Sequence, residues 1–268
     1  MKKQSDRSPQ EQFLRSYLIH KRCVSFCRVG FFLSFLILWE VSAQNNWIDS
    51  FFFSSPTRVM TTLRNMSLDG SIFLHTGVTL METLLSFLLV TLISILLSTA
   101  LWYYGFLSEV AEPYLVILNS LPKSALAPLF IVWLGTGMNT IIIAGISVAI
   151  FGSCISIYSG FREVDQEKVT LIYTLGGSKK DAFTKVILPG SLPVLVSTTK
   201  SNIGLALVGV IIGEFLAARR GLGYLIIYGS QVFQLDLLIT SIIILCIIAF
   251  LFYKIVQYLE QRINRYIQ

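Results

Sequence analysis

Six apolar runs, at residues 29–46, 80–104, 114–134, 139–158, 193–215 and 236–256, leave this chain few folds to choose from. A bilayer core takes a helix of about 20 predominantly apolar residues, and each run is near that length. Transmembrane strands instead alternate over roughly 10 residues, a pattern these runs lack. Lipid offers no partner to an unpaired peptide group, so continuous apolar runs are expected to be helical. The expectation is an all-α, polytopic membrane protein with about six transmembrane helices. Composition agrees: 13% of the 268 residues are charged and mean hydropathy is +0.71, against roughly 25% charged in a soluble domain.

Lysine and arginine collect on cytoplasmic loops. With the N-terminus inside, 15 of the 21 basic residues face the cytoplasm. They are Lys2, Lys3, Arg7, Arg15, Lys21, Arg22 and Arg28, then Arg162, Lys168, Lys179, Lys180 and Lys185, then Lys254, Arg262 and Arg265. Arg58, Arg64, Arg219 and Arg220 fall outside, and Lys123 and Lys200 within spans. Residues 1–28 are then a cytoplasmic segment, 29–258 the transmembrane domain with a cytoplasmic loop at about 159–192, and 259–268 a cytoplasmic tail. The net charge of +6 follows from this bias and calls for no nucleic acid. The basic start, the first apolar run and Val41-Ser42-Ala43 also have the outline of a cleaved signal peptide. Glu40 interrupts the run just before that site, and the span is read as uncleaved.

The stretch YTLGGSKKDAFTKVILPGSLP, Tyr173 to Pro193, stands between two apolar runs in that cytoplasmic loop. Val169, Ile172 and Tyr173 recur at helical spacing, and Gly176-Gly177 follows where a helix end needs positive φ. Ser178 has the place of an N-cap, with Asp181 in the capping-box position. Ala182, Phe183, Val186 and Ile187 then make one apolar stripe, which Leu188-Pro189 ends. The segment reads as two short amphipathic helices around a glycine corner. Its stripe either packs on the protein's own helix ends or is a docking surface for another subunit. Lys179 and Lys180 sit in a first helical turn, against the macrodipole, and lean toward an acidic partner or lipid phosphate.

Covalent chemistry has little to work with. Cys23, Cys27, Cys154 and Cys246 make no CxxC pair, and His20 and His75 stand alone, so no metal site, catalytic constellation or cofactor is expected. No G-x-x-x-x-G-K-[ST] loop occurs, so the chain is not expected to hydrolyse ATP itself.

The loop resembles the cytoplasmic signature of ATP-binding-cassette importer permeases, which runs Glu-Ala-Ala, three residues, Gly, nine residues, an aliphatic, one residue, Leu-Pro. Gly176, Val186, Leu188 and Pro189 fit that spacing, while Thr170, Leu171 and Ile172 occupy the Glu-Ala-Ala positions. LNSLPKSALAPLFIVWLGTG at Leu118–Gly137, GEFLAARRGLGYLI at Gly213–Ile226 and SSPTRVM at Ser54–Met60 resemble segments of the nitrate/sulfonate/taurine branch of those permeases. The resemblance implies a type I importer permease fold in a bacterial inner membrane, with both termini cytoplasmic. It implies a second permease copy, two cytoplasmic ATP-binding subunits and an extracytoplasmic solute-binding protein as partners. The coupling residues it implies are Thr170, Gly176, Gly177, Lys179, Phe183, Val186, Leu188 and Pro189.

Polar residues within spans are costly and therefore functional candidates. Glu82, Asn119, Lys123, Lys200 and Glu214 are the candidates for a translocation path. Glu82 stands in TLMETLLSF where the sulfonate-type pattern has arginine. Lys200 either serves the path or snorkels to the cytoplasmic headgroups, and Glu214 either serves a gate or pairs with Arg219 or Arg220. Pro122 and Pro128 break or merely kink the third span beside Asn119 and Lys123. Gly204 and Gly209 on the fifth span are expected only to allow close packing. The cargo implied is a sulfonate, nitrate or taurine-like anion. Glu82 keeps open a thiamine-pyrimidine precursor or similar heterocycle, and an ATP-independent channel or secondary transporter is the reading from another class.

Overall fold

A computed structural model describes residues 9–267 of the protein. Lys2, Lys3 and Arg7, counted above among the basic residues, and Gln268 lie outside the described residues. Among those described there are helices and no strands, as the apolar runs require. The chain divides into two compact units between Thr62 and Leu63.

The first unit holds α1 (Pro9–Gln44), α2 (Ser50–Phe53) and the start of α3 (Pro56–Leu68). Within α1 the helix over Tyr17–Gln44 is long and apolar enough to cross a bilayer, and the basic residues before position 29 that the structure describes lie on the same continuous helix. Glu40, which interrupts the first apolar run, accepts hydrogen bonds from Thr57 N at 3.0 Å and Thr57 Oγ1 at 2.7 Å. A carboxylate there satisfies one free N–H at the start of α3 and suits the positive end of its dipole, with Pro56 at the first helical position, where no N–H is missed.

The second unit carries α4 (Ser71–Tyr103), α5 (Gly105–Ser120), α6 (Lys123–Leu134), α7 (Met138–Arg162), α8 (Gln166–Thr174) and α9 (Lys179–Ala182). A π-helical turn (Phe183–Ile187) and the short α10 (Leu188–Gly190) lead into α11 (Leu192–Ala217), α12 (Leu222–Gln231) and α13 (Leu235–Ile267). Helices α4, α7, α11 and α13 are long and apolar enough to cross a bilayer, as is α1. The expected third span, 114–134, is not one helix. It is α5 and α6, bent by 97° at Leu121-Pro122. Leu121 is extended (φ −65°, ψ 138°), as a residue before proline prefers, whereas Pro113 and Pro128 remain inside their helices.

Helices α4, α7 and α11 pack on one another at the centre of this unit. Lipid is as apolar as leucine, so small and polar residues make the contact. Gly209 lets α11 meet α7, since a Cβ there would lie 2.7 Å from Gly145 Cα and 2.8 Å from Ala144 O. Gly204, read with it as a packing glycine, has no atom within 4 Å of where a Cβ would be. Along α4, Thr79, Thr83, Ser86, Ser94 and Ser98 are all fully buried at near-helical spacing. Ser98 Oγ donates to Cys154 O at 2.9 Å and Ser86 Oγ to Ile142 O at 3.3 Å, both on α7.

Candidate functional site

The corner expected at Gly176-Gly177 is a complete Schellman turn. Gly177 N donates to Ile172 O at 2.9 Å and Gly176 N to Tyr173 O at 3.0 Å, with Gly176 at φ +79°. A Cβ on Gly177 would stand 2.5 Å from Ile172 Cγ2, so both positions need glycine. The capping box is present as read: Ser178 N donates to Asp181 Oδ2 at 3.0 Å and Asp181 N to Ser178 Oγ at 3.3 Å. Lys185 adds an ion pair to Asp181 at 3.1 Å. The Ser178 hydrogen bonds first, and Lys185 second, hold the Asp181 carboxyl below the usual aspartate range.

Beyond the corner, the stripe turns inward, as one of the two readings had it. Ala182 and Ile187 are fully buried with Ile157, Phe161, Val169 and Leu195, and Phe183, Val186 and Leu188 pack on that cluster. The Phe183 ring lies 5.1 Å from Trp102 and 5.5 Å from Phe161. Lys179 Nζ donates to Tyr103 O at 2.6 Å and sits over the Trp102 and Tyr103 rings. It therefore closes the C-terminal end of α4, where a cation suits the dipole, and needs no outside acid. Lys180 is exposed. The apolar side chains left facing out precede the corner: Leu171 is 55% exposed and Leu175 75%. Thr170 is exposed beside them and bonds back to Gln166 O, and Pro189 is exposed after the stripe.

The five polar path candidates fall into three separate groups. At the bend, Lys123 Nζ donates to Leu118 O and to Asn119 O, the latter at 3.1 Å, and lies 5.4 Å from the Phe151 ring. Those carbonyls lose their helical donors because Pro122 ends α5. Lys200 pairs with Glu260 on α13 at 2.8 Å, with Tyr253 beneath it, where the sequence suggested snorkelling. Glu82 and Glu214 are buried together. Glu214 Oε1 accepts from Thr79 Oγ1 at 2.6 Å and Oε2 from Gly223 N at 2.5 Å, so it is engaged there and not by Arg219 or Arg220.

One polar residue escaped the sequence reading altogether. Asn202, 1% exposed, accepts from Ser153 Oγ on α7 and donates to Thr91 Oγ1 on α4 at 3.4 Å. It ties the three central helices together. An amide within an apolar run was signal enough to flag it, though Lys200, two residues before, drew the attention. Among the described residues no group of three or more metal-ligating side chains occurs.

Residues 90–265 match the family model of the binding-protein-dependent transport system inner membrane component. The chain belongs to that family. This ABC importer permease is 30% identical over 227 residues to a probable ABC transporter permease of Haemophilus influenzae, covering 85% of this chain and 92% of the relative. It is 28% identical over 195 residues to the formylaminopyrimidine transport permease of Halalkalibacterium halodurans, with 72% and 77% covered. It is 24% identical over 231 residues to a putative aliphatic sulfonates transport permease of Bacillus subtilis, with 86% and 84% covered. Among solved structures, the inward-facing methionine transporter MetNI superposes with a TM-score of 0.61 at 20% identity, over 72% of this chain and 94% of that one. The permease thus has the importer fold expected from its loop, and its family works with binding proteins and ATP-binding subunits.

Proposed function

We propose that this permease passes a small anion of the sulfonate, nitrate or taurine type through a path formed by two copies of the chain. Two ATP-binding subunits dock from the cytoplasm and hydrolyse the ATP, and an external binding protein delivers the solute. Both termini are cytoplasmic, 29–258 is the permease domain, about 159–192 its coupling loop, and 1–28 and 259–268 its cytoplasmic ends. The corner carries this reading. Leu171 and Leu175 offer apolar surface in a water-facing loop, with Thr170, Gly176 and Gly177 shaping the face. Behind them Phe183, Val186 and Leu188 bind the loop to the spans, so a push on the face reaches the helices as rigid bodies.

Lys123, beside Asn119 at the bend, supports an anionic cargo. Glu82, the ground for a heterocycle in the sequence, faces Glu214 and lends that alternative nothing. A thiamine-pyrimidine precursor stands as the second reading because of the relative named for formylaminopyrimidine. Co-purification tests the docking: Leu171→Asp with Leu175→Asp should leave the permease inserted and strip the ATP-binding subunit. Retention of that subunit by the double variant, or concentrative uptake by the chain without it, would sink the reading. A thermal-shift screen of the cognate binding protein with sulfonates, nitrate, taurine and formylaminopyrimidines identifies the cargo.

A further inference from the structure

Glu82 on α4 and Glu214 on α11 are 3% and 0% exposed and within hydrogen-bonding reach of each other. Glu214 is well supplied with donors: Thr79 Oγ1, Gly223 N and the backbone of Tyr224. Gly223 and Tyr224 belong to the first turn of α12, whose free N–H groups and dipole favour a negative charge. Thr79 completes the arrangement by accepting from Leu222 N at 2.8 Å. The fit is close: a Cβ on Gly221, at φ +116°, would overlap the Glu214 carboxylate, and one on Gly223 would stand 2.7 Å from its Oε2. Glu214 is therefore the ionised partner, held across a helix start by a residue of another helix.

Glu82 has no such supply. Its Oε2 is buried without a partner, as is the neighbouring Thr83 Oγ1. His75, the nearest other titratable group along α4, spends Nδ1 on Gly221. Among the described residues no lysine or arginine pairs with either carboxyl. Two carboxylates side by side in a dry interior cannot both keep their charge. One proton between them removes the conflict and supplies the missing donor.

We propose that Glu82 and Glu214 form a one-proton site, in which the protonated Glu82 donates to the ionised Glu214 and the proton clasps α4 to α11 and to the start of α12. Losing the proton sets two like charges in contact at the junction of these three helices, so the clasp holds only while it is occupied.

Infrared spectroscopy of the purified full-length permease in lipid tests this. The parent should show a protonated-carboxyl C=O stretch near neutral pH that Glu82→Gln removes. Because the amide can still donate to Glu214, Glu82→Gln should keep the parent's thermal unfolding midpoint, whereas Glu82→Ala should lower it. A parent spectrum without that band overturns the proposal whatever the variants do. So does a band that survives Glu82→Gln, or a midpoint that follows added sodium or a chelator, which would put a metal cation in the proton's place.

Discussion

Asp181 is held by Ser178 N, Ser178 Oγ and Lys185 Nζ, all donors, which favour the charged form of the acid. Its carboxyl binds a proton less readily in the fold than in the unfolded chain. The cap thus stabilises above the unfolded value of about 3.9 and loses its contribution as pH falls through and below that value. Backbone amides at 178–182 should exchange hydrogen faster on going from about pH 5 to about pH 3, after correction for intrinsic rates. Asp181→Asn should remove that dependence. The neighbouring glycine sets a separate test. Gly176→Val puts a β-branched residue at φ +79°, at a cost of about 1–2 kcal/mol. Purified Gly176→Val permease should be nicked by protease at the corner while its spans stay intact; an unchanged cleavage pattern would mean that the turn tolerates the strain.

At the scale of elements, the bend between α5 and α6 and the junction of α11 with α13 give the two basic residues different work. Lys123 closes carbonyls that Pro122 leaves open, and it stays available to an anion in the proposed path. Lys200 is committed to Glu260. Lys123→Gln should therefore slow uptake of an anionic cargo and weaken its salt dependence. Lys200→Gln should mainly lower the melting midpoint, by an amount that Glu260→Gln reproduces and the double variant does not increase. Equal uptake losses in both would place the two lysines on one path and refute the division. Much of this scale was legible beforehand because its causes are local: the Schellman glycines, the Ser178 cap and the proline break all act within a few residues. The partners of Glu214 were not legible, since Thr79 lies 135 positions away in the chain and only packing brings it there. The serine and threonine seam on α4 was written at helical spacing, but a hydropathy sum counts such residues as minor interruptions and passes over their alignment.

For the whole molecule, orientation rests on the distribution of charge, 15 basic residues against 4. Single cysteines at Lys180 and Arg220, in a background without native cysteines, check it. An impermeant thiol reagent added to intact cells should label position 220 and spare 180. Lys180 suits the purpose because it is exposed, whereas Lys179 is fastened to α4. Labelling at 180 from outside would invert the topology. The proposed coupling loop has a further consequence at this scale. Through Trp102, Phe161 and Leu195 it rests on the ends of α4 and α7 and the start of α11 at once, so a stroke delivered there, as proposed, would move three spans with no slack between them. Loosening that seat with Phe183→Ala should let the motor slip: ATP would still be burned, but with fewer solute molecules delivered per ATP, a shortfall in stoichiometry that simultaneous counting of both would expose.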